Sequence, residues 1–123
     1  MSLIAMTAAA ALSAAGEPPQ IGPIDVPSRL SGGLVFSLVD WGFNQWNVMA
    51  YDADINVRSR SNPSNGFSFK LRVDCEAHTY GVMADFSDID LTSVQRERLG
   101  IVTGPIPLSN RTAVGHISRQ FCD

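Results

Sequence analysis

Charge is scarce in this chain and thinly spread. Of its 123 residues only 17% are charged, the nine basic ones are scattered singly, and the formal net charge is −3. Binding nucleic acid or an anionic membrane needs clustered Lys and Arg, so no nucleic-acid partner is expected. Long apolar runs are also missing. The run from Leu3 to Leu12 is ten residues, whereas a bilayer span needs about 20, so no transmembrane segment is expected in the mature protein. Histidine is limited to His78 and His116, and cysteine to Cys75 and Cys122. There is no C-x-x-C pair to carry redox chemistry. Two cysteines this far apart, with two histidines, make a poor zinc set. No G-x-S-x-G elbow marks a nucleophile, and no cofactor is expected.

What is present begins with the charge-free opening "MSLIAMTAAAALSAAG". Its apolar run has the length of a secretory h-region, and Ser13-Ala14-Ala15 supplies small residues at −3 and −1 before Gly16. No Lys or Arg precedes the run. Residues 1–15 read as a signal peptide, and no cysteine follows them to take a lipid. The alternative is an Ala-rich helix, but the stretch has no amphipathic face with which to pack. Residues 16–33 hold four of the seven prolines and four of the ten glycines, and read as an extended leader or linker. Ile21, Ile24 and Val26 within it could form a short edge strand, where proline is tolerated. Residues 34–123 then read as one α+β domain.

Export gives the cysteines a role. Two cysteines in an exported chain read as a disulfide, here Cys75–Cys122. The mature protein is accordingly expected in the periplasm, outside the cell or at its surface.

The strand signals are of several kinds. "LVFSLVDW" at 34–41 is apolar and β-branched without a helical period. Gly42-Phe43-Asn44-Gln45 reads as a turn. Residues 46–60 alternate in part, with a turn or bulge expected near Asp52-Ala53-Asp54. "SNPSNG" at 61–66 is a loop. Residues 67–76 alternate throughout: Phe67, Phe69, Leu71, Val73 and Cys75 share one face, and Ser68, Lys70, Arg72, Asp74 and Glu76 the other. This is a half-buried antiparallel strand, and residues 78–86 read as its returning partner. Thr92 and Gln95 have capping-box spacing, with Gly100 placed to end a helix near 93–99. Val114, Ile117 and Phe121 lie at helical spacing behind Ser109 or Asn110 as N-cap. The fold expected is an antiparallel β-sheet with a C-terminal helix packed on one face and pinned there by the disulfide.

Trp46, "VDCEAHTY" at 73–80, "GPIPLSNRT" at 104–112 and Cys122 together resemble small exported bacterial proteins of the surface-adhesin protein E type, over residues 46–122. The chain departs from that pattern at Gly81, where a basic residue is expected, and it lacks the lipoprotein cysteine. The resemblance implies an antiparallel sheet with a packed helix, and an adhesin-like role exercised through surface loops.

Three constellations bear on chemistry. Asp52, Asp54 and Asn56 match the first ligand positions of an EF-hand loop, but Val57 and Pro63 stand where Gly and Glu are required. Asp85, Asp88 and Asp90 form an acidic turn before a helix, and helix electrostatics explain it as well as a hard cation does. Trp41, Phe43, Trp46 and Tyr51 cluster within eleven residues, as core or as an exposed contact surface. The function expected is that of a non-enzymatic interaction domain binding a protein or envelope component. The alternative is a small periplasmic hydrolase or metal-dependent enzyme using His78, His116 and nearby carboxylates.

Overall fold

The computed structural model describes residues 18–122. The signal-peptide reading of residues 1–15 falls outside them. Six strands follow one another in a single antiparallel meander: β1 (Gly22–Pro23), β2 (Leu34–Asn44), β3 (Asn47–Ser59), β4 (Gly66–Asp74), β5 (Thr79–Met83) and β6 (Ile106–Pro107). Three helices accompany them: α1 (Ser28–Ser31), α2 (Ser93–Leu99) and α3 (Ala113–Gln120).

Register decides which side chains share a face. Phe36 pairs with Val57, Leu38 with Ile55, Trp41 with Ala53 and Phe43 with Tyr51. Tyr51 in turn faces Val73, Ala53 faces Leu71, and Ile55 faces Phe69. Val73 faces Tyr80, and Tyr80 faces Ile106. Directly opposed residues point the same way, so one face of the sheet is apolar from β2 to β6. Leu99 of α2 and Ala113, Val114 and Ile117 of α3, followed by Phe121, join that face in one core. The α+β architecture is therefore as the alternation of 67–75 and the periodicity of 114–121 indicated, with the C-terminal helix on the apolar face. Cys75 and Cys122 are disulfide-bonded, with Cα atoms 5.4 Å apart.

Three local expectations differ from the structure. The irregularity foreseen near Asp52-Ala53-Asp54 lies across the ladder instead, where Val39 is inserted between the Leu38–Ile55 and Asp40–Asp54 pairs. The extra residue switches the core-facing positions of β2 from 36 and 38 to 41 and 43. β2 also runs on through Asn44, so the reversal falls at Gln45-Trp46, later than the turn read at 42–45. The N-cap of α3 is Thr112, whose hydroxyl accepts from the Gly115 amide at 3.0 Å. Ser109 and Asn110 precede it.

Within the Pro/Gly-rich segment, β1 pairs with Ser37 and Leu38. The Ile24 amide donates to the Phe36 carbonyl at 2.8 Å, and the Ile24 side chain enters the core. The second half of that leader is thus part of the domain. Helix α2 has the full capping box: Thr92 Oγ1 accepts from the Gln95 amide, and Gln95 Oε1 accepts from the Thr92 amide. Gly100 ends it at φ 84°. A Cβ at that position would press on Thr112 and on the Tyr80 hydroxyl. The Tyr80 hydroxyl donates to the Gly100 carbonyl at 3.2 Å and lies 3.4 Å from Thr112 Oγ1. One buried phenol on β5 therefore joins the end of α2 to the start of α3.

Candidate functional site

The β2–β3 hairpin rises from the core as a ladder of aromatic rings. Phe121 lies 5.3 Å from Tyr51 between ring centroids, and Tyr51 lies 5.1 Å from Phe43 and 5.5 Å from Trp41. Trp41 and Phe43 meet edge-on at 5.6 Å. The four clustered aromatics thus have different roles. Tyr51 is buried in the core and Trp41 is half-buried against it. Phe43 is 42% exposed, and Trp46 at the tip is 85% exposed.

A large apolar ring in water is unfavourable unless something else covers it. Here the backbone that carries it is held in place. Asn44 is buried, its Oδ1 accepts from the Trp46 amide at 2.8 Å, and its Nδ2 donates to Asp52 Oδ2 at 3.2 Å. Asp52 is held in turn by a two-point contact from Arg72, Nε to Oδ1 at 2.7 Å and Nη2 to Oδ2 at 3.1 Å. The Arg72 hydrogen bond, with help from Asn44, keeps the Asp52 carboxyl below the ordinary aspartate value of 3.8, against the opposing effect of burial. Asn47 Oδ1 accepts from the Met49 amide on the other side of the tip. The turn that presents Trp46 is therefore fixed by side-chain hydrogen bonds rooted in β3 and β4.

The remaining constellations resolve into structure. Asp52 and Asp54 lie on the outer face of the sheet in cross-strand pairs with Arg72 and with Lys70, the latter at 3.1 Å. They do not form a loop around a cation. Asp85 caps a short 3₁₀ turn, its Oδ1 accepting from the Ser87 amide and hydroxyl, and those bonds lower its carboxyl pKa. His78 is exposed in the β4–β5 turn at φ 57°, and His116 is half-buried on α3. Among the described residues, no three His, Cys, Asp or Glu side chains converge to hold a metal ion.

One feature of the surface has no counterpart in the sequence reading. A cleft of about 450 Å³ opens on the outer face of β4 and β5, beneath the 103–105 loop. Its sequence signal was Gly81, an isolated glycine within a strand, which often marks a close backbone approach. A Cβ at 81 would collide with the Thr103 carbonyl oxygen.

No protein-family model matches this chain, and no curated protein or solved structure is significantly similar to it.

Proposed function

We propose that this protein is an exported, non-enzymatic interaction domain that contacts a protein or envelope partner, in the manner of an adhesin, through the tip of the β2–β3 hairpin. The observation that carries the reading is Trp46, 85% exposed on a turn whose amide is bonded by buried Asn44. Tryptophan is the residue most often found to dominate binding energy at protein interfaces, and a rigid turn lowers the ordering cost of docking it. Phe43 of the same hairpin adds further exposed apolar surface. The disulfide is compatible with an oxidising location outside the cytoplasm, and the described residues include no helix long and apolar enough to cross a membrane.

Affinity capture from an envelope extract, with the oxidised protein as bait, tests this reading. Trp46→Ala should lose the captured partner while its stability stays within about 0.5 kcal/mol of the parent, because the ring is solvent-exposed. Equal capture by parent and variant would contradict a role for the tip.

A further inference from the structure

The geometry points to a second site, separate from the hairpin tip: the outer-face cleft binds a free α-amino acid with an apolar side chain. At Gly81, between Thr79 and Met83 on the same face of β5, the missing side chain lets the backbone of the 103–105 loop pack directly on the strand. Seated on that glycine, the loop forms one wall of the cleft through Thr103 and Pro105. Ala77, Met83 and Pro105 contribute apolar lining to a volume within the range of small-molecule sites, about 300–1,000 Å³.

Two charged groups border this floor from the same face of β4. Arg72 faces Gly81 and Asp74 faces Thr79 across the ladder. Being two residues apart on one strand, their Cα atoms are separated by roughly 6.6 Å. Each is already oriented by the fold and retains an unused atom. Asp52 engages Nε and Nη2 of Arg72, and no hydrogen bond in the described structure engages Nη1. Asp74 Oδ1 accepts from the Glu76 and Ala77 amides at 3.0 and 2.9 Å, which leaves Oδ2 for a further donor.

A simple anion at Arg72 would meet the nearby Asp52 and Asp74 carboxylates, and a simple cation at Asp74 would meet the Arg72 guanidinium. A zwitterion satisfies both. Its carboxylate accepts from Arg72 Nη1, its ammonium donates to Asp74 Oδ2, and its side chain lies against Met83 and Pro105. Charge-assisted bonds of this kind give orientation as well as affinity. The apolar floor selects against polar side chains.

Calorimetric titration of the oxidised full chain with L-leucine tests the assignment against two truncated probes, 4-methylpentanoate (no amine) and 3-methylbutylamine (no carboxylate). Leucine should bind saturably, and each truncated probe at least about tenfold more weakly. Asp74→Asn keeps an oxygen for the turn amides but removes the charge. It should weaken leucine about tenfold and strengthen 4-methylpentanoate, whose carboxylate no longer meets a like charge at position 74. Thr79→Trp should fill the cleft and abolish binding, with an unchanged melting temperature showing that the sheet is intact. No saturable binding of leucine up to about 10 mM overturns the proposal. So does an amine that binds as tightly as leucine, or leucine affinity unchanged in Asp74→Asn and in a folded Thr79→Trp. Trp46→Ala leaves this site untouched, so the tip and the cleft stand or fall separately.

Discussion

Asp52 illustrates how much one side chain can be asked to do. It looks like a turn residue in the sequence, followed by Ala53 and Asp54, and that pattern predicts a break there. In the structure it sits mid-strand, joining Arg72 of β4 to Asn44 and, through Asn44, to the amide of Trp46. Its local sequence could not reveal this, because its partners lie 8 and 20 positions away. The pH dependence follows from the lowered pKa. A carboxylate favoured in the folded state contributes stability that is present above its unfolded pKa and is lost as pH falls through the lower folded value. Chemical unfolding of Asp52→Asn should therefore show a flatter loss of stability than the parent as pH falls below about 4. Parallel curves for the two proteins would mean that the ion pair contributes nothing. Asn44→Ala should cost about 1–2 kcal/mol, since it leaves a part-buried amide without its acceptor. It should also weaken partner capture while Trp46 is still present.

At the scale of elements, legibility tracked how local the physics is. The β4 alternation and the α2 capping box are set by near neighbours, and both read directly. Cys75 at the end of that alternation was placed on the core face for the same reason. The bulge at Val39 did not read, because an inserted valine within an apolar run changes neither composition nor any recognisable turn signal. The cap of α3 was misplaced by two or three residues since Ser109, Asn110 and Thr112 are all good N-caps, and tertiary packing selects among them. That packing centres on Gly115, where a Cβ would meet the Ser109 carbonyl and Thr112 Oγ1. Glycine is a poor helix former, yet at this position it is what lets the preceding loop close on the helix. Thr112→Ala should cost about 1 kcal/mol from the cap, and somewhat more from its contact with the Tyr80 hydroxyl. Thermal melts of that variant beside Tyr80→Phe and the double change should show less than additive losses, because the three groups share one junction. Full additivity would separate them.

The whole molecule is a one-sided sheet: helices and core on one face, cross-strand ion pairs and the cleft on the other, and an aromatic hairpin at one end. The disulfide ties these parts together. Cys122 adjoins Phe121, Phe121 supports Tyr51, and Tyr51 supports Trp41 and Phe43 beneath the tip. Closing 47 positions of chain stabilises the fold by roughly 4 kcal/mol on the chain-entropy model. The pairing was legible because only two cysteines exist. The outer cleft was not, because it depends on a loop over 20 residues from Gly81 meeting that glycine. One covalent bond thus pins the C-terminal helix against the sheet. Hydrogen exchange, comparing the oxidised protein with the Cys75→Ser/Cys122→Ser double variant, tests it most directly. Loss of protection in residues 113–121 ahead of residues 51–57 and 67–73 is the result expected, because the sheet retains its own ladder. Unchanged protection of the helix, or its loss in step with the strands, would contradict the claim.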